Sequence, residues 1–245
     1  MMLLTTVDLL CSVIFVITLH QWAVANKLLS RPLLFIVGNV VFLSGMLPWF
    51  DALAHYSVWL HSAQSVMVHH LAPLLWISAL QHQSARTPSN AVPSSHWPFT
   101  LLMSGFAVLT WVWMLPALHP LFMQSALLYS VMKWLMALSG IALCLMMIQN
   151  NQQTSYWQNL TLLTVIMPLV VWGLLMLVFP NMYSETHLGP HHHHMMMNNF
   201  PDWLQLSAVA DQYLGDLIFI VAGLAYWQAV ASGIKLTGHA RRFAK

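Results

Sequence analysis

Charge is what this sequence has least of. Lys and Arg number 8 and Asp and Glu 6 in 245 residues, so 6% of the chain is charged and 59% is apolar, whereas about 25% of a typical soluble domain is charged. That excludes a water-soluble domain, because too little polar surface exists to cover one and a bilayer has to act as the solvent. Cysteine is scarce as well. Cys11 and Cys144 both sit in apolar runs, which provides neither a CxxC motif nor a disulfide framework. HExxH and GxSxG are missing, and with them the simplest hydrolase readings. The basic tail (Lys235, Arg241, Arg242, Lys245) has no recognition module beside it, so nucleic acid is not an expected partner.

What the chain does have is long apolar stretches, with a mean hydropathy of +0.68. Backbone polar groups in hydrocarbon are satisfied only in helices or closed barrels, and these runs are too long and unbroken for barrel strands. The expectation is an all-α, polytopic membrane helical bundle, one integral domain over 1–245, in contact with the lipid bilayer. About seven transmembrane helices are predicted, near 3–25, 33–50, 57–80, 98–116, 121–148, 160–180 and 212–232. The first lacks the basic leader and cleavage site of a signal peptide and reads as a retained helix.

Alternation of seven spans puts Lys27, Arg31, Arg86 and the basic tail on one side, which the positive-inside tendency makes cytoplasmic. The N-terminus is then outside and the C-terminus cytoplasmic. All six acids fall on the opposite side or near outer helix ends, and the loop over 181–211 faces the periplasm of a bacterial inner (plasma) membrane.

That loop holds His191, His192, His193, His194, Met195, Met196 and Met197 in one run. Thioethers favour Cu(I) and imidazoles accept copper in both oxidation states, so the mixture points to copper rather than to zinc or calcium. A variable polar loop that binds metal incidentally fits the same residues. His61 opens HSAQSVMVHHLAPLL, with Gln64 and Ser65 on nearly the same helix face and His69 two turns deeper and rotated by about 80°. Two ligands from one helix do not close a metal site, so another helix has to contribute. His119, in a short outer loop, is such a candidate, and the acids Asp211 and Asp216 are placed to neutralise an ion or orient an imidazole. Pro73 is expected to bend its helix and free an upstream carbonyl. Lys133 falls inside the fifth span, where an ammonium requires a partner or a polar cavity. Asp211 or Asp216 supplies that partner if the last helix lies beside the fifth.

Two segments together resemble the seven-helix CtaG family of caa3-type cytochrome c oxidase assembly factors. That family carries two histidines four apart with a glutamine before the second, then Ala-Pro and leucines. Here His61, Gln64 and Ala72–Pro73–Leu74–Leu75 match, while Ser65 replaces the second histidine. The family's last helix opens with Asp-Gln followed by glycine, matched by Asp211, Gln212 and Gly215, with Asp216 at a usually small position. A Trp-His and Pro segment corresponds to Trp113, Met114 and Pro116. A further histidine pair around a glutamate corresponds to Tyr129, Met132 and Lys133, with Gly140 retained downstream.

The resemblance implies a non-enzymatic, copper-handling factor, Cu(I) favoured, that supports metal insertion into a membrane oxidase subunit or another cuproprotein. Two alternatives stand beside it. One is an assembly scaffold without metal; the other is a b-type heme electron-transfer protein held by histidines from different helices.

Overall fold

A computed structural model describes residues 2–80, 97–149, 160, 162–179, 182–183 and 206–240 of the chain. In those residues the fold is all-α. The helices are α1 (Met2–Ala25), α2 (Pro32–Gly45), α3 (Pro48–Ala54), α4 (Val58–Ser65), α5 (Ala72–Ala79), α6 (Trp97–Met114), α7 (His119–Gln124), α8 (Ala126–Gln149), α9 (Met167–Val178) and α10 (Ala208–Ala240). π-helical turns over Val66–Leu71 and Leu162–Ile166 join α4 to α5 and lead into α9.

The expected seven crossings do not survive. Among the described residues, three helices are long and apolar enough to span a membrane: Thr6–Ala25, Ala126–Leu143 and Ala208–Gln228. A fourth arises only if α2 and α3 count as one span bent by 58°. The reasons are local. Pro48 holds Leu47 in an extended conformation (φ −68°, ψ 135°), which breaks the run expected over 33–50. Segment 57–80 is split by its π turn and lined with buried polar side chains. The apolar helices Thr100–Met114 and Leu162–Val178 are shorter than the roughly 20 residues that about 30 Å of hydrocarbon demands. The orientation with the N-terminus outside and the C-terminus cytoplasmic rested on seven alternating crossings and falls with that count. The chain remains a multi-pass membrane protein.

Its surface fits that environment, since large apolar side chains such as Leu10, Leu33, Leu127 and Val221 point outward. Three apolar clusters hold the helices together. Phe35, Phe42 and Trp76 join α1, α2, α5 and α8. Trp113, Phe122, Tyr129, Trp172 and Phe219 join α6 to α10, and Met103, Phe106, Met136 and Tyr226 fill a third.

Both π turns precede a proline. Pro73 and Pro168 lack an N–H for the carbonyl four residues back, and the helix widens by one residue per turn to accommodate them. The turn before Pro73 presents the His69 carbonyl to α8, where Gly140 makes the close approach possible. A Cβ at Gly140 would lie 2.5 Å from that carbonyl oxygen, a contact with backbone that cannot rotate away. Gly140→Ala is therefore expected to cost about 1–3 kcal/mol, the range of an overpacked core. Thermal unfolding in detergent checks this, and an unchanged Tm would show that α8 has room to move.

Candidate functional site

Many of the buried polar side chains collect in two adjoining compartments on either side of Tyr129. The first is built around Lys133 on α8, whose side chain is 1% exposed. Its ammonium donates to both oxygens of Asp51, at 2.9 and 2.8 Å, and lies 3.6 Å from Asp8 Oδ2. Asp51 comes from α3 and Asp8 from α1, so one ammonium ties three helices. Neighbours complete the network. Gln64 donates to Asp51 and to the Gly45 carbonyl and accepts from the Tyr129 hydroxyl. Asp8 accepts from Ser130 Oγ at 2.6 Å and Trp134 Nε1 at 3.1 Å. A buried charge is tolerated only with an opposite charge and hydrogen bonds, and Lys133 has two carboxylates.

The second compartment is aromatic. His61 on α4 stacks on Trp113 of α6, with centroids 4.9 Å apart and planes 23° from parallel. His119, at the start of α7, meets the His61 ring edge-on at 5.0 Å and 85°. Both imidazoles are 1% exposed. Tyr183 packs against His119 at 5.1 Å and donates its hydroxyl to the Met114 carbonyl at 2.5 Å. Burial pushes the Tyr183 phenol above its ordinary range, and the Asp216 carboxylate adds to the shift. The phenol therefore stays protonated and keeps donating. His69 turns its ring edge toward Trp113 at 5.9 Å and places Nδ1 3.2 Å from Ser65 Oγ. Ser65 thus bonds to the histidine one turn deeper.

The last helix closes this compartment from outside α4. Asp211 accepts from Ser57 Oγ at 2.6 Å and from the Val58 N–H at 2.7 Å, so it caps the start of α4 from a different helix. Gln212 donates to the Met176 and Phe179 carbonyls at 2.5 and 2.9 Å and accepts from the Met182 N–H at 2.9 Å, which closes the end of α9. Asp216 is 1% exposed, and neither of its oxygens has a hydrogen-bond partner among the described residues.

The sequence-derived candidates are thus divided. His61, His69 and His119 share one aromatic compartment, while Gln64 and Lys133 belong to the neighbouring ionic one. Asp211 is committed to helix capping. The partner of Lys133 is corrected: Asp51 and Asp8 hold it, and not Asp211 or Asp216, because α10 packs on α4 and α9. Both partners are among the acids that the sequence reading puts on the outer side or near outer helix ends. The signal for them was chemical, since a lysine inside an apolar span demands an acid from some other helix. The run His191–Met197 lies outside the described residues.

Imidazoles suit transition ions such as copper, zinc, iron and nickel, and the two compartments fit such an ion differently. On the resemblance drawn from the sequence, Tyr129, Lys133 and Ser65 replace histidines, and the ammonium in the ionic compartment repels a second cation. That centre does not fit a metal. His61 and His119 offer two imidazoles from different helices, but no group of three or more His, Cys, Asp or Glu able to hold a metal ion occurs among the described residues. Over residues 13–236 the chain matches the family described as cytochrome c oxidase caa3 assembly factor (Caa3_CtaG). No curated protein and no solved structure matches it.

Proposed function

We propose, from the premise that this chain belongs to the cytochrome c oxidase caa3 assembly-factor family, that it hands copper as cargo to a heme-copper oxidase or related cuproenzyme in the bacterial plasma membrane. As a member of an assembly-factor family it is not an enzyme: it serves the maturation of another protein. The observation that carries the copper reading is the buried edge-on pairing of His61 and His119 at 5.0 Å. Two imidazole donors from different helices leave coordination positions open, and an ion in transit must exchange ligands with its recipient. Imidazole is a suitable ligand for copper, and a thioether-rich run such as Met195–Met197 favours its reduced form. On this reading His191–Met197 collects copper and the His61–His119 pair receives it, with the Asp216 carboxyl near Tyr183 and His69 against the shared Trp113.

Competition for Cu(I) on untagged protein purified in detergent is the test. His61→Phe with His119→Phe keeps the aromatic packing and removes the nitrogens. It is expected to weaken Cu(I) binding at least tenfold, about 1.4 kcal/mol. A variant lacking His191–Met197 is expected to load copper more slowly with the inner affinity retained. Wild-type protein that holds no copper under reducing conditions would sink this reading.

A second reading is favoured by the Lys133–Asp51–Asp8 cluster, which is satisfied by the chain's own groups alone. It makes the protein a scaffold for the oxidase that needs no metal. In that case the double histidine variant retains the oxidase interaction in full.

A further inference from the structure

We infer that the ionic compartment is a cation cradle whose resident ligand is the chain's own Lys133 ammonium, shaped for a primary ammonium group and not for a metal ion. The inference stands apart from copper handling at His61 and His119, since it concerns the other compartment.

Three carboxylate oxygens surround Lys133 Nζ: Asp51 Oδ1 at 2.9 Å, Asp51 Oδ2 at 2.8 Å and Asp8 Oδ2 at 3.6 Å. An ammonium has three N–H donors and no acceptor, so the number of oxygens matches the number of donors. The two Asp51 distances suit hydrogen bonding, and Asp8 completes the set as an ion pair. Zinc takes carboxylate oxygen at about 2.0–2.2 Å, and calcium at about 2.3–2.6 Å with six to eight oxygens. The cradle is too wide for the first and has too few oxygens for the second.

One oxygen of each carboxylate, Asp51 Oδ1 and Asp8 Oδ1, is also held without Lys133. Asp51 accepts from Gln64, which is itself fixed by the Gly45 carbonyl and the Tyr129 hydroxyl. Asp8 is fixed by Ser130 and Trp134. The Tyr129 ring covers the ammonium at 5.7 Å and adds a cation–π contact. Removing the lysine therefore leaves a preorganised anionic cavity, which a free ligand of the same chemistry fills without rebuilding it.

Lys133→Ala removes the atoms of an n-propylammonium ion, and n-propylammonium is the probe. The protein is solubilised and purified with the probe present, then melted across a concentration series. The expected result is a saturable rise in Tm for Lys133→Ala that is absent in wild type and abolished by adding Asp51→Asn. Tetramethylammonium, which has no N–H, and potassium at the same ionic strength should not reproduce it.

Equal stabilisation by tetramethylammonium would reduce the effect to screening and overturn the inference. So would stronger stabilisation by calcium or zinc, which would make the cavity a masked metal site. If Lys133→Ala is not recovered folded, Lys133→Ala with Asp8→Asn, which buries one carboxylate fewer, is measured in the same way. Recovery of neither variant, even from membranes solubilised in n-propylammonium, also overturns the inference, because a fitting ligand should rescue one of them.

Discussion

Lys133→Met is expected to destabilise the detergent-solubilised protein by about 3–5 kcal/mol, the range seen when one partner of a buried ion pair is removed. Methionine fills most of the space of the lysine stem, so little of the loss comes from a cavity. It comes from the two carboxylates left facing each other. Asp51 is 5% and Asp8 6% exposed, and each then keeps only neutral donors. Stabilities of this kind are small differences between large terms, so a loss of this size is a large fraction of the whole. The sign reverses when the acids go too. Lys133→Met with Asp51→Asn and Asp8→Asn is expected to recover most of the loss, since replacing a whole buried ionic cluster by neutral groups of similar size is often close to neutral. Melting curves of the single and triple variants decide. A single variant that melts with wild type would mean that water or a counter-ion already satisfies the acids.

Trp113→Ala should have a comparable effect through a different cause. The ring is 2% exposed and lies where His61, His69, Phe122 and Tyr129 meet, with centroid distances of 4.9, 5.9, 5.6 and 5.2 Å. Deleting a buried tryptophan costs about 3–5 kcal/mol from lost burial and the cavity that remains. This cavity lies directly against the His61 imidazole. The same variant should therefore weaken Cu(I) binding along with stability, because His61 loses the surface that fixes its ring plane. Trp113→Phe retains a stacking face and should lose less of both. Copper affinity unchanged in a destabilised Trp113→Ala protein would separate the pair from its aromatic floor and count against the His61–His119 reading.

The two predictions mark the difference between the compartments. The ionic one is held by charge satisfaction and tolerates coordinated neutralisation. The aromatic one is held by packing, and nothing except another ring replaces Trp113.

Composition set the environment, because so little charge leaves no other solvent than lipid. The long unbroken apolar runs set the helical class, because hydrocarbon admits only helices or closed barrels and these runs are too long for barrel strands. The sequence also pointed to His61, Gln64, Lys133 and the Asp211–Gln212 pair as the polar positions of consequence, since each breaks an apolar stretch or completes a motif. It indicated that Lys133 needed an acid and that Pro73 would free a carbonyl. It indicated seven spans where the described residues hold three, or four with the bent pair, because hydropathy measures what a segment contains and not whether its helix stays straight. Pro48 and the two π turns decided that through backbone geometry.

Partnership was likewise a tertiary matter. Lys133 bonds across 82 residues to Asp51, and Ser57 across 154 to Asp211. Nothing local in the chain selects Asp51 and Asp8 over Asp211 and Asp216 as the lysine's partners. The choice follows from α1 packing against both α3 and α8 while α10 packs against α4 and α9, a consequence of which apolar faces fit together. The sequence by itself determined the solvent, the helices and the list of polar groups; only the packed structure decided which of those groups meet, because a charge in a low-dielectric interior is governed by neighbours brought to it from elsewhere in the chain.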